Sequence, residues 1–403
     1  MTAGINKENI VGIITETGGK TSHSAILARA LEIPAVLSVN GAVSKLSAGE
    51  YVIVDGSEGV VINEPDDAVI QEYNTKRINF LKERKELENF RGKATKALSG
   101  EEYELFCNIG KPEDAIKAVD ADGEGVGLFR TEFLFMDRTA LPTEDEQFDA
   151  YKKAALTLKG KPVIIRTLDI GGDKEIPYLG LKKEENPFLG FRAIRYCLKH
   201  KDLFKTQLRA IVRASAFGDV RIMFPLITAV EELREGKALV EEVKAELREQ
   251  GVEFNENIPV GIMTETSASV MIADILAKES DFFSIGTNDL TGYTMACDRG
   301  NDDVAYLYSP LQPSVLRGIK YIIDCANKNN ISVGMCGEAA ANPMMVPLLM
   351  SFGLTEFSVS APSVLKVRKT ISTWSKAEAD KVAEKVLAMT TEKEISDYLK
   401  TLL

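Results

Sequence analysis

Several features are scarce or missing in this sequence of 403 residues, and each absence excludes a class of protein. No uninterrupted apolar run approaches the length of about 18 residues that a membrane-spanning helix needs. Residues 1–8 lack the apolar core of a signal peptide. The five cysteines are scattered, and none forms a CxxC pair or has zinc-site spacing from a histidine. A reduced, cytoplasmic protein without a membrane insertion is therefore expected.

Positive charge is also in deficit. The chain has 49 basic and 60 acidic residues and a net charge of −11, which argues against a general nucleic-acid or membrane-surface binder. Local basic clusters that hold a small anion remain compatible with this balance. The length and the hydrophobic content of 45% predict a globular protein of at least two domains.

Three motifs that would suggest a ligand are incomplete. Gly19-Lys20-Thr21 matches the end of a P-loop, but Ile14 stands where the upstream glycine is required. Residues 120–123 begin like a calcium loop but lack the third acidic ligand and the closing glutamate. Residues 123–127 are rich in glycine but lead into a β-type run rather than a helix, which excludes a dinucleotide fingerprint.

The first hundred residues predict a small domain and a linker. Residues 1–70 alternate short β-type runs with turns around one helix, which is typical of a small α/β unit. The predicted strands are Ile10–Thr15, Ala35–Ser38, Tyr51–Asp55 and Val60–Asn63, and the predicted helix is Ser22–Leu31. Residues 71–98 are rich in Lys, Glu, Arg and Leu and predict a solvated helical linker.

Residues 99–403 predict a (β/α)8 TIM barrel, because eight β-type runs alternate with helical patterns. The runs are Tyr103–Asn108, Val126–Arg130, Val163–Thr167, Val220–Phe224, Val260–Thr264, Phe282–Gly286, Ser332–Cys336 and Glu356–Ser360. The clearest helical patterns are Glu144–Leu158, Val230–Glu249, Val270–Lys278 and Val315–Asn327. Extra helices are expected between the third and fourth strands, at 190–198 and 203–215.

One of the two histidines, His23, follows Gly18-Gly19 and Thr21-Ser22 at the start of the predicted helix. The free N–H groups of a first helical turn favour an anion, and a neutral imidazole is a nucleophile near neutral pH. The sequence therefore makes His23 a candidate phosphoryl acceptor. A surface histidine at a helix start is the ordinary alternative.

Polar residues follow several barrel strands, where the active sites of such barrels lie. Arg130, Arg166 and Arg299 suit a small, multiply anionic substrate, because guanidinium groups bind phosphate and carboxylate bidentately. Glu265 and Asp289 are candidate Mg²⁺ ligands. Asn288 can add a neutral hydrogen bond to a phosphate. Cys336 can donate a proton to a carbanion, and a buried structural thiol is its alternative.

These residues lie in segments that strongly resemble enzyme I of the bacterial phosphoenolpyruvate-dependent sugar phosphotransferase system. The resemblance covers essentially the whole chain. It rests on Gly18–Arg29, Gly127–Phe135 with Pro142–Glu144, Arg166–Lys174, Asn186–Arg192, Asp281–Thr291 and Gly334–Glu338. Pyruvate phosphate dikinases and phosphoenolpyruvate synthases share the histidine signature and the barrel, but they are less similar around Arg130 and Asn288.

The resemblance implies a role for each residue. His23 would accept the phosphoryl group of phosphoenolpyruvate, and Cys336 would protonate the enolate to give pyruvate. The substrate would be bound by Arg130, Arg166, Asn288, Asp289 and Arg299, and Mg²⁺ by Glu265 and Asp289. The resemblance also implies a homodimer through the barrel and a linker that carries the movement of the histidine domain.

The sequence departs from the family pattern in two respects. The family's helical subdomain for docking the histidine-containing phosphocarrier protein precedes the point where this chain starts, so residues 1–70 are expected to be a truncated swivelling domain and onward transfer to be lost. Ser267 replaces a proline usual after Glu265 and Thr266, which predicts a more mobile loop. Two alternatives remain: a dikinase-type enzyme, for which no nucleotide-binding segment is visible, and a non-catalytic phosphoenolpyruvate-binding module.

Overall fold

The computed structural model describes residues 9–17, 28, 33–136, 138–171 and 176–403. The chain divides into two compact units, Met1–Asn89 and Phe90–Leu403. The first unit contains two small sheets. Strands β1 and β2 pair in parallel, and strands β3 and β4 form an antiparallel hairpin. Their bounds, with those of the short helix α1, are Ile13–Ile14 (β1), Ala35–Val36 (β2), Ala42–Lys45 (α1), Val52–Asp55 (β3) and Val60–Asn63 (β4).

A long helix, α2, spans Asp67–Glu88 and is capped by Asp66, whose side chain accepts a hydrogen bond from the N–H of Val69 at 2.8 Å. The sequence predicts a helical linker as far as residue 98, but residues 90–98 form turns and a single β-bridge. The reason lies in competing hydrogen bonds. Gly92 adopts a left-handed φ of 71° and donates its N–H to Asp122 at 2.7 Å, which a continuing helix would prevent.

The second unit is a closed barrel of eight parallel strands, which confirms the predicted (β/α)8 fold. Strands β5 to β12 follow one another around the barrel, and β12 pairs with β5 to close it. Their bounds are Glu104–Ile109 (β5), Gly125–Arg130 (β6), Val163–Arg166 (β7), Val220–Phe224 (β8), Val260–Thr264 (β9), Phe282–Ile285 (β10), Ser332–Met335 (β11) and Glu356–Val359 (β12).

Alternate strand residues face the barrel interior and the surrounding helices. The interior holds a separate apolar cluster made of Leu128, Ile164, Met223, Met263, Phe282 and Cys336. The outward residues join the main core beneath the helices. Gly261 is needed where Phe282 fills the interior, because a Cβ there would lie 2.6 Å from the ring. The alternation determines which strand-end side chains point into the mouth of the barrel.

Helices surround the barrel, and several begin with the capping signals that the sequence contains. Thr143 and Glu146 cap one another's backbone at the start of the helix Glu144–Leu158, and Ser375 and Glu378 do so at the helix Lys376–Ala388. The helices of this unit are Asp114–Asp120 (α3), Glu144–Leu158 (α4), Ala193–Lys199 (α5), Lys201–Ala214 (α6), Val230–Glu249 (α7), Ser267–Met271 (α8), Ala273–Leu276 (α9), Thr287–Met295 (α10), Pro313–Lys328 (α11), Val346–Phe352 (α12), Val364–Ser372 (α13), Lys376–Ala388 (α14) and Glu392–Lys400 (α15).

The two extra helices expected between the third and fourth barrel strands are α5 and α6. The helix expected at Val270–Lys278 is instead divided into α8 and α9 around Ile272, whose φ and ψ of −114° and 21° are not helical. In the described part of the chain, no helix combines the length and apolar character required to cross a membrane.

Candidate active site

The ends of neighbouring parallel strands place two of the predicted anion-binding arginines side by side. Arg130 ends β6 and Arg166 ends β7, and the strand register pairs them directly. Arg166 lies two residues after Ile164, so both side chains face the barrel interior. The pair therefore brings two permanent positive charges to the carboxyl-end mouth of the barrel.

The guanidinium of Arg166 is buried and held by acidic neighbours. Its Nη2 lies 2.7 Å from Glu132 Oε1 and 3.0 Å from Asp169 Oδ2, and its Nη1 lies 3.8 Å from Met263 Sδ. Burial lowers the pKa of Arg166, but the charges of Glu132, Asp169 and Glu265 outweigh burial and raise it above its usual range. Its Nε has no hydrogen-bond partner among the described residues, so a donor remains available at the site.

A second buried arginine, Arg192, joins this network, although the sequence predicts no role for it. Its Nη2 lies 2.9 Å from Asp169 Oδ1 and 3.2 Å from Asp289 Oδ2, and its Nη1 donates to the Tyr293 hydroxyl at 3.3 Å. Asp169 thus bridges Arg166 and Arg192. The only sequence signal for Asp169 and Arg192 is that each lies in a segment that resembles enzyme I.

Glu265 follows β9 and is 2% exposed. Its Oε1 accepts a hydrogen bond from the N–H of Leu226 at 2.7 Å, which fixes the carboxyl group at the mouth of the barrel. Burial, together with the charges of Asp289 and Asp169, raises the pKa of Glu265, although Arg166 and Arg192 act in the opposite direction. A buried carboxyl group crowded by other carboxylates favours a bound cation.

The chemistry of these oxygen donors fits a hard divalent cation. Glu265 and Asp289 are the candidate ligands, and each is a carboxylate in the same charged network. Within the described ranges, no group of three or more acidic, cysteine or histidine side chains forms a complete metal site. The two carboxylates therefore fit an ion such as Mg²⁺, which commonly takes its other ligands from substrate and water.

A cavity of about 380 Å³ lies beside this network. Its wall includes Asn288, Asp289 and Arg299, together with Tyr293 and Tyr308. The hydroxyl of Tyr308 donates to the backbone oxygen of Asn288 at 2.9 Å, which holds the start of α10 at the cavity. The volume is within the range of small-molecule sites, and the wall presents both positive charge and neutral hydrogen-bonding groups.

Cys336 follows β11, and its side chain belongs to the interior apolar cluster. Its backbone N–H donates to Ile285 at 3.1 Å, and its backbone oxygen accepts from Asn108 Nδ2 at 3.0 Å. Asn108 Oδ1 in turn accepts from the Ser358 hydroxyl at 2.7 Å. Burial raises the pKa of the Cys336 thiol to about 11, so the protonated thiol is the form present at neutral pH.

A buried glutamine on α6 holds two loops of the site in place. Gln207 accepts from the N–H of Leu168 at 2.8 Å and donates to the Thr131 hydroxyl at 3.1 Å. The Thr131 hydroxyl donates to the backbone oxygen of Arg166 at 2.8 Å. No local sequence pattern predicts this network, because Gln207 is 76 residues from Thr131 along the chain.

The structure brings most of the predicted site residues to one end of the barrel. Arg166, Glu265 and Asp289 share the charged network, and Asn288 and Arg299 line the adjoining cavity. Arg130 pairs with Arg166, and its charge acts on the Cys336 sulfur. His23 lies outside the described residues. The roles of these side chains remain predictions.

Comparison with known proteins matches both parts of the chain to one family. Residues 1–59 match the mobile domain of PEP-utilising enzymes, and residues 84–375 match their PEP-binding domain. The phosphoenolpyruvate-protein phosphotransferase of Staphylococcus carnosus (strain TM300) is 47% identical over 399 residues, and that of Bacillus subtilis (strain 168) is 49% identical over 399 residues. Each alignment covers 99% of this chain and 70% of the relative.

Among solved structures, a citrate lyase from Burkholderia xenovorans LB400 aligns with 47% of this chain and 58% of its own length. The alignment has 20% identity and a TM-score of 0.33, a similarity too low to bear on function.

Proposed function

This chain belongs to the PEP-utilising enzymes, among the phosphoenolpyruvate-protein phosphotransferases, and on that basis we propose that it transfers the phosphoryl group of phosphoenolpyruvate to its own His23 and releases pyruvate. The observation that carries the proposal is the buried network at the barrel mouth. Asp169 bridges Arg166 and Arg192, and Asp289 joins the same network through Arg192.

The substrate in this proposal carries a phosphate and a carboxylate. Arg130, Arg166 and Arg299 bind these groups, because guanidinium forks match the paired oxygens of both and remain charged at every relevant pH. Asn288 donates a hydrogen bond to the phosphate from the wall of the cavity. Arg192 holds Asp289 and Asp169 and so fixes the acidic side of the site.

Glu265 and Asp289 would hold Mg²⁺ in the proposed mechanism, and Asp289 would also contact the substrate. A cation would relieve the repulsion between these buried carboxyl groups, and their oxygens would be its ligands. Such an ion would neutralise negative charge on the phosphoryl and enolate oxygens.

The reaction proceeds in two steps. His23 attacks phosphorus in line with the bridging oxygen, so that a nitrogen–phosphorus bond forms as the phosphorus–oxygen bond breaks and enolpyruvate leaves as the enolate. Cys336 then gives its thiol proton to C3 of the enolate and produces pyruvate. Catalysis depends mainly on positioning and on charge neutralisation by the arginines.

Mass spectrometry of the protein after incubation with phosphoenolpyruvate and Mg²⁺ tests the first step. We expect the mass of one phosphoryl group on the wild type and on His200→Ala, and none on His23→Ala. His200 is the matched control because it is the other histidine of the chain. An unlabelled wild-type protein, or a labelled His23→Ala variant, would refute the proposal.

The same preparation separates the two alternatives. Binding of phosphoenolpyruvate in a calorimeter without any phosphohistidine would identify a non-catalytic binding module. Phosphorylation that requires a nucleotide together with phosphate or pyruvate would identify a dikinase-type enzyme.

Homodimerisation through the barrel, a cytoplasmic location and transfer to a histidine-containing phosphocarrier protein are further parts of the proposal. Sedimentation velocity tests the dimer. Transfer of label from the phosphorylated chain to such a carrier tests the relay.

A further inference from the structure

Ser284 is a buried hydroxyl group beside Cys336 that the mechanism above does not use. It lies on β10 and is 1% exposed. Ser284 follows Phe282 by two residues, and Phe282 belongs to the interior cluster, so both side chains face the interior of the barrel. Among the described residues, the Ser284 hydroxyl has no hydrogen-bond partner.

The strand register brings Ser284 next to Cys336. Strands β10 and β11 pair in parallel with Ile285 opposite Met335, and the N–H of Cys336 donates to the backbone oxygen of Ile285 at 3.1 Å. The Ser284 hydroxyl lies close enough to the Cys336 sulfur to act on it as a hydrogen-bond donor, although no hydrogen bond of ordinary geometry joins them. Burial raises the pKa of that thiol to about 11, whereas the Ser284 hydroxyl and the charges of Arg166 and Arg130 act to lower it.

A hydroxyl group buried without a partner lowers stability, and such groups are rare in folded proteins. Replacement by alanine would remove this cost, so stability alone does not explain a serine at position 284. The neighbouring Cys336 sulfur does explain it. A neutral thiol is a weak hydrogen-bond acceptor, whereas a thiolate is charged and accepts strongly from a hydroxyl group.

When Cys336 acts as an acid, its sulfur becomes negatively charged and needs a hydrogen-bond donor. Its side chain is packed among Leu128, Met223, Met263 and Phe282, and a bare negative charge is costly in such surroundings. The guanidinium groups of Arg166 and Arg130 act on the sulfur, but in the proposed mechanism both bind the substrate. The Ser284 hydroxyl is a nearby neutral donor without another partner in the described part of the chain.

We propose that Ser284 is a positioning residue for the second step: its hydroxyl group receives a partner when Cys336 loses its proton, and this hydrogen bond holds the sulfur in line with C3 of the enolate. The inference rests on the proposed function, since it assumes that Cys336 is the acid. The sulfur–hydrogen bond breaks, the enolate electron pair forms the new carbon–hydrogen bond, and the sulfur keeps its own electron pair. Water returns a proton to the thiolate after pyruvate leaves.

The stereochemistry of proton addition tests this step separately from phosphoryl transfer. The substrate is phosphoenolpyruvate that carries deuterium in one of its C3 positions, and a single turnover is run in tritiated water with the protein in excess. Proton delivery by a fixed thiol gives a chiral methyl group in pyruvate. Release of enolpyruvate and protonation in solution give a racemic methyl group.

We expect Ser284→Ala to form phosphohistidine to the wild-type level but to lose the chirality of the methyl group. Ser284→Cys keeps a weak donor of similar size and is expected to give an intermediate enantiomeric excess. Ser280→Ala is the matched control: its hydroxyl is also buried without a partner in the described ranges, and it lies two residues before β10, at the floor side of the strand. This control is expected to give the wild-type chirality and the wild-type phosphohistidine level.

The outcomes distinguish the inference from the function on which it rests. A chiral product from Ser284→Ala, with a racemic product from Cys336→Ala, would overturn the inference and leave Cys336 as the acid. A racemic product from the wild type, or a chiral one from Cys336→Ala, would refute the proposed acid and the inference with it. Equal losses in Ser280→Ala and Ser284→Ala would also overturn the inference, because they would point to packing.

Discussion

The two ends of the barrel both bury charged side chains, but in different arrangements. At the carboxyl-end mouth, Asp169 bridges two arginines that continue to further acidic groups, and the network adjoins a cavity. At the opposite end, here called the barrel floor, Glu356 at the start of β12 lies opposite Glu104 at the start of β5. Glu356 Oε1 has no hydrogen-bond partner in the described part of the chain.

Burial of charged side chains therefore does not by itself indicate a functional site. At the mouth, the ion pairs of Asp169 with Arg166 and Arg192 offset the cost of burying charge, although burial and neighbouring carboxylates still raise the pKa of Glu265. The floor relieves the same cost by proton uptake: burial and the charge of Glu104 raise the pKa of Glu356 to about 8, against the opposing effect of Arg221. At the mouth, the charged network also adjoins a cavity lined by Asn288, Asp289 and Arg299. Residues at the floor of such barrels usually serve stability.

The largest predicted effect is a loss of stability on replacing Arg368 at the floor. This side chain joins the start of the barrel unit to the turn before β6. Arg368 is 1% exposed, pairs with Asp122 and donates to Thr95 at 3.0 Å and to the backbone oxygen of Phe90 at 3.1 Å. Arg368→Met should lower the free energy of unfolding by about 3–5 kcal/mol, because it leaves a carboxylate without its buried partner.

Denaturant unfolding followed by circular dichroism measures this loss. Lys393→Met is the control, because Lys393 forms an exposed pair with Asp397. Phosphohistidine formation per folded molecule should be unchanged in Arg368→Met. A loss of stability no larger than that of the control would contradict the structural role assigned to the floor.

A second prediction concerns the pH dependence of the floor. Because the pKa of Glu356 is raised to about 8 when folded, from about 4.3 in an unfolded chain, the folded protein binds the extra proton between these values. The resulting stability is present below about pH 4 and is lost as the pH rises toward 8. Glu356→Gln removes this dependence and keeps the shape of the side chain.

The variant should therefore gain about 3 kcal/mol in unfolding free energy relative to the wild type between pH 5 and pH 8. Denaturant unfolding of both proteins at several pH values between 5 and 8 measures the difference. A constant difference across the range would show that Glu356 is ionised in the folded protein and would remove the contrast between the two ends.

At the mouth, Asp169→Asn should lower the rate of phosphohistidine formation. The substitution keeps the size of the side chain but removes the charge that bridges Arg166 and Arg192, so both guanidinium groups are free to shift. We expect the rate of phosphohistidine formation to fall about 100-fold, the typical cost of misplacing groups that orient a substrate. Rapid quench with labelled phosphoenolpyruvate measures the rate.

Asp219→Asn provides the matched control for this substitution. Asp219 also pairs with an arginine, the half-buried Arg221, at 2.7 Å, but it lies at the floor. This variant should phosphorylate at the wild-type rate. Equal rates for the two variants would mean that the bridging carboxylate has no part in orienting the substrate.

The sequence predicted the barrel more completely than the site. Strand and helix patterns are local, so the bounds of Val220–Phe224, Val260–Thr264, Glu144–Leu158 and Val230–Glu249 agree with the structure. The predicted residues of the barrel site were those at the ends of strands or in the loops that follow them. Arg192 was missed because its partner Asp289 is 97 residues distant, and no periodic pattern records such a contact.

The end of the long helix was missed for a related reason. Residues 90–98 have helix-forming composition, but their backbone and side chains bond instead to Asp122 and Arg368, far along the chain. Tertiary hydrogen bonds overrode a local propensity worth only fractions of a kcal/mol per residue. Sequence patterns therefore predict where elements begin more reliably than where a remote partner ends them.

The smallest predicted effect compares Ser284 on β10 with Ser280, which lies two residues before that strand. Ser280 at the floor and Ser284 near the mouth both bury a hydroxyl group without a partner among the described residues. Replacing either by alanine should leave the unfolding free energy unchanged or raise it by up to about 1 kcal/mol, because an unsatisfied polar group is removed.

Thermal unfolding in parallel with the methyl-chirality assay separates the two ends. If both substitutions stabilise the fold and only Ser284→Ala loses stereospecific protonation, the cost of the unpaired hydroxyl near the mouth is linked to chemistry. A clear loss of stability in Ser284→Ala alone would instead mean that this hydroxyl already bonds to the neutral thiol. Ser284 would then have a structural role like Ser280 at the floor, and a buried hydroxyl group near the mouth would not indicate a functional residue.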